Sequence, residues 1–224
     1  MGYARGHAGL ARVGPANPLQ IKHAFKKAMT GKTAMQIQRY TRTAMAFHWL
    51  IALLILANVA MIWIVGYLPD GMVRPVIDTP KSLGITVLGL AIMRVLWRAT
   101  HPAPPLPPSY SAWERWSAHA AHWVLYALIF CLPLSGWAHD SAWKEAAAHP
   151  MYLYGLVPWP RIGWLTAIDP ADKDYWHDLL FRVHASFAYV LYAMVVVHVV
   201  GAVKHQWLDK QPELERMLPG SAAE

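Results

Sequence analysis

Four stretches of this chain are apolar for long enough to cross a lipid bilayer, and polar segments divide them. They run from about Ala44 to Gly66, Ser82 to Trp97, Ala118 to Ala138 and Leu179 to Val203. A helix needs roughly 20 residues to span a hydrocarbon core of about 30 Å, and these stretches come close to that length. The pattern predicts an all-α, integral membrane protein, a four-helix up-down bundle. The second stretch is the shortest. Asp78-Thr79-Pro80 is a good start for its helix, a capping residue ahead of a proline in the first turn.

The polar segments fix the direction of the spans. Before the first come Lys22, Lys26, Lys27, Lys32, Arg39 and Arg42, with no acid among residues 1–43. The link between spans two and three holds Arg98 and Arg115 against Glu114, and Lys204 opens the tail after span four. The other two links are richer in acid. One has Asp70 and Asp78 against Arg74; the long one has Asp140, Glu145, Asp169, Asp172, Asp174 and Asp178. The positive-inside rule therefore puts both termini in the cytoplasm. Residues 1–34 read as a flexible basic extension with no apolar core for a signal peptide. Residues 35–219 form the four-span domain, and 220–224 are a short tail. The proline-rich link at 101–110 is expected to be extended. The link over 139–178 is long and rich in prolines and aromatics, which suggests a folded cap at the outer interface.

Composition agrees with this reading. Hydrophobic residues make up 56% of the chain and charged ones 15%, and the 12 tryptophans and 10 tyrosines suit a membrane interface. The net charge of +7 reads as topology plus attraction to anionic lipid, not as a nucleic-acid surface. The single cysteine, Cys131, lies in an apolar run, so there is no intramolecular disulfide. No Cys-x-x-Cys-His motif is present to attach a haem covalently, so any haem is b-type.

Histidines supply the candidate chemistry. His184 and His198 lie fourteen residues apart in the fourth span. That is about 21 Å along a helix and close to four full turns, so both rings leave one face, one near each membrane surface. Ionisable groups inside a membrane are costly and mark function. Two stacked bis-histidine haems would require such a pair. His48 opens the first span. The first and fourth spans run in opposite directions, so His48 and His198 reach the same cytoplasmic depth and can clamp one iron between them. His119 and His122, at the start of the third span, are the alternative to His48. His205 reads as an interface or quinone-pocket residue. His7, His23, His101, His149 and His177 read as solvated.

The segments RYTRTAMAFHWLIALLI, PKSLGITVLGLAIMRVLWR, AHAAHWVLYALIFCLPLSGW and RVHASFAYVLYAMVVVHVVGAVKH, in this order, resemble the bacterial cytochrome b561 family over about residues 36–219. The resemblance is more remote to the cytochrome b subunits of hydrogenases and formate dehydrogenases. It implies a four-helix inner-membrane cytochrome with two b haems that exchanges electrons with quinone. His48 and His198 match the inner-haem ligands, and His184 matches one outer-haem ligand. The other outer ligand normally begins span two in a His-Lys-Ser-Leu-Gly pattern, which here reads Pro80-Lys81-Ser82-Leu83-Gly84. Proline cannot ligate iron. The outer haem is then lost with His184 hydrogen-bonded, or held by His184 alone, or completed by Lys81 or His139. Loss or five-coordination is the preferred reading.

The leading expectation is a b-type cytochrome that passes single electrons between a redox partner or superoxide and the quinone pool. Some members of the family oxidise superoxide at the outer face, and Arg74 and Lys81 are the cations that would attract it here. Two alternatives stand beside it. One is a cytochrome b subunit whose acidic outer loop docks a basic periplasmic redox protein. The other is a haem-free membrane scaffold of the same fold.

Overall fold

The computed structural model describes residues 38–220 together with Asn17 and Lys22. The extension assigned to residues 1–34 and the tail beyond Gly220 otherwise lie outside the described residues. Every element below belongs to the compact unit Gln38–Glu224.

The four long helices are α1 (Arg42–Val65), α2 (Asp70–Thr100), α3 (Ala112–Ser141) and α5 (Lys173–Val203). Each contains a segment long and apolar enough to cross a membrane. Local chemistry sets two of the starts. Thr41 Oγ1 accepts a hydrogen bond from Ala44 N at 3.2 Å ahead of α1. Ser111 and Glu114 form a reciprocal capping box at α3, which satisfies N–H groups that the first turn leaves unpaired.

Helix α2 corrects an expectation. It begins at Asp70, not beside Pro80, and runs unbroken through Pro80. A proline inside a helix removes one hydrogen bond and crowds the preceding turn. Side chains bond two carbonyls of this turn. Asn58 Nδ2 on α1 donates to the Pro80 carbonyl at 3.0 Å, and Ser82 Oγ donates to the Asp78 carbonyl at 2.9 Å. The apolar part of the helix is Val76–Thr100, longer than the sequence pattern suggested.

The bundle packs in chain order, with α1 on α2, α2 on α3, and α3 on α5. No comparably close packing joins α1 to α5 among the described residues. Ile51 of α1, Ile85, Val87 and Ala91 of α2, Leu128 of α3 and Leu191 of α5 are buried. Other apolar side chains point outward, such as Leu53 at 61% and Val196 at 62% exposure. An apolar surface of this extent is suited to lipid rather than water.

The two loop ends differ in build. Residues 142–172 fold as a cap, as expected. It contains a hairpin of β1 (Tyr152–Leu153) and β2 (Val157–Pro158) and a short helix α4 (Gly163–Thr166). The hairpin turn needs positive φ at Tyr154 and Gly155, 53° and 70°, which glycine adopts without strain. Tyr154 ties the hairpin to α2, its N–H donating to Ser82 Oγ at 2.8 Å and its hydroxyl meeting Thr86 Oγ1 at 2.7 Å. At the other end the 101–110 link is non-helical, again as expected. Its Pro104 and Pro105 carbonyls accept from Arg216 Nη2 at 3.0 and 2.8 Å. Arg216 lies in α6 (Glu213–Met217), which follows a π-helical turn over Lys204–Leu208. Tyr40 N also bonds the Arg216 carbonyl at 3.1 Å, so the start of α1 and the end of the described chain share one end of the bundle.

Candidate functional site

One side chain from each long helix converges near the end of the bundle where α1 begins. His48 comes from the second turn of α1, Arg94 from the late part of α2, His122 from the early part of α3, and His198 from the late part of α5. The rings of His48 and His198 have centroids 6.3 Å apart and planes at 77°. The ring of His122 lies 5.6 Å from that of His198. Arg94 Nη1 donates to His48 Nδ1 at 3.1 Å, and Arg94 Nε donates to the Tyr126 hydroxyl at 3.1 Å. Arginine has no acceptor, so His48 accepts at Nδ1 and a neutral ring carries its proton on Nε2.

This geometry can be tested against a metal-centred group. Imidazole nitrogens bind such ions at about 2 Å, which puts two opposed ring centres roughly 6 Å apart. The His48–His198 pair meets that spacing, across two helices that are not closely packed on each other among the described residues. Neutral imidazole suits iron. The residues present therefore fit a haem iron, with His122 near enough to His198 to be the alternative partner. Arg94 was not singled out from the sequence. Its signal was present, since an arginine in the apolar run LGLAIMRVLW is costly without a role.

His184 sits differently. Its Nδ1 lies 3.0 Å from Ser135 Oγ and 3.1 Å from the Leu132 carbonyl, both on α3. Donation to that carbonyl leaves Nε2 for another partner, as in many metal-bound histidines. Gly136 makes the seat possible, because a Cβ there would come within 3.0 Å of the imidazole. The opposite half of such a site is not built. Pro80 is buried and offers no donor. Lys81 Nζ is held by Asp140 at 2.7 Å and Asp78 at 3.1 Å. His139 stacks on His177 with centroids 3.9 Å apart, and the Nδ1 of each bonds the other's carbonyl. At this end the histidine that would stand at position 80 is missing, and His139 keeps only its Nε2 clear of that stack's hydrogen bonds.

Other histidines also find places. His177 is part-buried in that stack and not solvated as expected, because its partner comes from α3, distant in sequence. His101 and His149 are exposed. His119 Nδ1 is engaged with the Arg115 carbonyl at 2.6 Å. His205 stacks on Tyr110 at 4.5 Å, and its Nδ1 lies 2.7 Å from Asp209 Oδ2. Lys204 Nζ bridges Asp209 at 2.6 Å and Glu114 at 3.0 Å. The bond from Lys204 holds the Asp209 carboxyl below the usual carboxylate range. Burial, with a hydrogen bond to Glu213, pushes the Tyr110 phenol up, so it remains a donor. His7 and His23 lie outside the described residues, and so does the side chain of Arg74.

Residues 39–220 match the family described as prokaryotic cytochrome b561. The chain is 32% identical over 190 residues to cytochrome b561 homolog 2 of Escherichia coli (strain K12), covering 84% of this chain and 95% of that protein. It is 27% identical over 186 residues to the probable superoxide oxidase CybB of Yersinia pestis, covering 81% and 97%. It is 23% identical over 185 residues to cytochrome b561 homolog 1 of Escherichia coli (strain K12), covering 82% and 98%.

Proposed function

The chain belongs to the prokaryotic cytochrome b561 family of membrane b-type cytochromes, and from that premise we propose that it carries single electrons to or from quinone through one haem b held by His48 and His198. The observation that carries this reading is the opposed pair of rings at 6.3 Å, one on α1 and one on α5. When bound, the haem supplies a one-electron redox centre. Held by two histidines, such a haem would serve electron transfer rather than oxygen binding. For His48 to bind through Nε2, Arg94 must give up its bond to Nδ1. Its guanidinium, still beside Tyr126, then serves as a cation for the carboxylates that a b haem carries.

The same end of the bundle holds acid–base groups that a quinone needs when it gains or loses protons. His205, Asp209, Lys204 and Glu114 form one hydrogen-bonded set there. The basic segments at this end support a cytoplasmic orientation for it, and four membrane-length helices support the inner membrane of a bacterial cell.

Superoxide as the electron donor is a second reading, favoured by the name of the Yersinia pestis relative. Lys81 gives it little support, because two carboxylates already neutralise that ammonium. A periplasmic redox protein docking on the acidic cap is the corresponding partner reading. The deciding experiment is a reduced-minus-oxidised spectrum of the purified protein with a haem count, followed by quinol oxidation. One b haem per chain, reduced by quinol within a turnover, is expected. A colourless protein or a haem inert to quinol would overturn the proposal.

A further inference from the structure

Tyr110 and His205 pack ring on ring at the end of the bundle where α1 begins, with centroids 4.5 Å apart and planes at 25°. Tyr110 closes the proline-rich link and is only 5% exposed. Three contacts fix it. Its hydroxyl donates to Glu213 Oε1 at 2.8 Å, its N–H donates to the Pro107 carbonyl at 3.1 Å, and its own carbonyl accepts from Arg115 Nη1. Arg216 Nη1 donates to the same Glu213 oxygen at 3.2 Å. The phenol ring is a wall held by the link, α3 and α6. His205 is set against it by a second contact. A carboxylate only accepts, so the 2.7 Å bond to Asp209 Oδ2 is donated by Nδ1–H. In the neutral ring that leaves Nε2 as a bare acceptor. No hydrogen bond reaches Nε2 among the described residues, and it is not one of the buried unpartnered atoms, so it stays open to a ligand.

His205 lies in the π-helical turn Lys204–Leu208, a geometry frequent at functional sites. It follows His198 by seven residues on one continuous helical run, about 10 Å along the axis. It also lies near the end of the membrane-length segment Lys173–Leu208, a level that the polar head of a quinone reaches from the bilayer. We propose that Tyr110 is a positioning residue: with Asp209 it orients His205 so that Nε2 takes the proton of a quinol hydroxyl. This rests on the quinone reading given above. The quinol O–H bond breaks, an Nε2–H bond forms, and one electron passes to ferric haem. The second proton and electron follow in the same way after a one-electron acceptor has reoxidised the haem. The charged groups on the elements packed around the ring are three acids and three bases. Asp209 and Lys204 belong to its own run, Glu114 and Arg115 to α3, and Glu213 and Arg216 to α6. An imidazolium therefore forms beside carboxylates in a balanced surrounding.

The test follows ubiquinol oxidation by the haem-loaded protein from pH 6 to pH 9, beside nitrogen-15 NMR of the histidine-labelled protein. His205→Gln should lower kcat about 100-fold at neutral pH and remove the inflection that a titrating base gives to the rate. Tyr110→Ala should lower kcat about tenfold with little change in KM, as expected for a misplaced base. Tyr110→Phe, which keeps the ring and loses the Glu213 bond, should restore most of that rate. In the NMR spectrum at pH 9 the His205 signals, identified by their loss in His205→Gln, should show the proton on Nδ1. In Tyr110→Ala the two tautomers should mix. An unaltered haem spectrum confirms that each variant is folded. A wild type that does not oxidise ubiquinol would overturn the quinone reading, and with it the proton acceptor, while the NMR spectra still judge the clamp on His205. With an active wild type, an unchanged rate in His205→Gln or Tyr110→Ala overturns the inference and leaves the quinone reading standing. A Tyr110→Phe protein as slow as Tyr110→Ala, or a wild-type tautomer in Tyr110→Ala, overturns the role of the stacked ring.

Discussion

Helix α5 carries His198 toward one end and His184 toward the other, on the same face, and the two rings are housed in different ways. Around His198 the four long helices each send in a side chain, and the opposed ring of His48 stands 6.3 Å away. Around His184, among the described residues, the hydrogen bonds and the close glycine come from α3, through Ser135, Leu132 and Gly136. Where an opposed donor would stand, α2 presents Pro80. The neighbouring polar groups are turned to structure. Asn58 holds the Pro80 carbonyl, Tyr154 pins the hairpin to Ser82 and Thr86, and Asp140 gathers Lys81 and Arg161. A histidine on a membrane helix therefore does not define a cofactor site. The opposite wall does.

The comparison breaks most sharply at the histidines themselves. Replacing His48 or His198 with alanine should abolish haem retention, whereas His184→Ala should keep one haem per chain with an unshifted spectrum. Pyridine haemochrome assay against protein concentration reads both. A haem count that falls with His184→Ala and survives His198→Ala would reverse the assignment of the two ends.

How far these two ends could be read from the sequence follows from the range of the interactions. The apolar runs gave four spans because hydrocarbon thickness imposes a length that one chain shows by itself. The depth match of His48 and His198 followed from span direction, again a local count. The start of α2 was misplaced because Asp78-Thr79-Pro80 carries a local cap signal, while the helix in which that segment lies begins at Asp70. His177 was read as solvated because its stacking partner, His139, is 38 residues away. Arg94 stood in plain view as a charge in an apolar run, but its partner His48 lies 46 positions earlier. Side chains that answer a partner on another helix were the part the sequence did not disclose.

The next effect in size is a gain. Pro80→His returns a backbone N–H to α2 and places an imidazole where the family pattern has one. The expected outcome is a rise in haem content from one toward two per chain, cancelled when His184→Ala is added. A Pro80→His protein that still binds one haem would show that the Asn58, Tyr154 and Asp140 contacts have closed the space, not the proline alone.

Asp140 tests the structural use of the outer end. Its carboxylate is 7% exposed and bonds Lys81 and Arg161 at 2.7 and 2.8 Å. Asp140→Asn leaves Arg161 with no carboxylate and Lys81 with only the exposed Asp78, and breaking a buried pair in this way costs about 3 kcal/mol. For a chain of this length that corresponds to a fall of roughly 6–10 °C in the thermal midpoint. The haem absorbance of the folded protein should be unchanged below that temperature, because the inner end makes no use of Asp140. Loss of haem at 20 °C in Asp140→Asn would mean that the two ends are coupled.

The inner end has its own carboxylate, and the contrast in burial sets the smallest effect. Asp209 bonds Lys204 at 2.6 Å and His205 at 2.7 Å, but it is open to solvent, where ion pairs contribute little. The bond from Lys204 lowers its folded-state value below the ordinary one near 3.9. A depressed carboxylate stabilises the fold fully above the unfolded value, and that contribution disappears as pH falls through the folded one. Asp209→Asn should therefore shift the thermal midpoint by about 2 °C or less at neutral pH. Wild type and variant should converge as pH falls through the folded-state value, below which the carboxyl is protonated in both states. A scan of haem-absorbance melting from pH 7 to pH 2.5 measures this. A gap that widened on acidification would have the wrong sign for a carboxylate held below its ordinary range and would overturn the role given to the Lys204 bond.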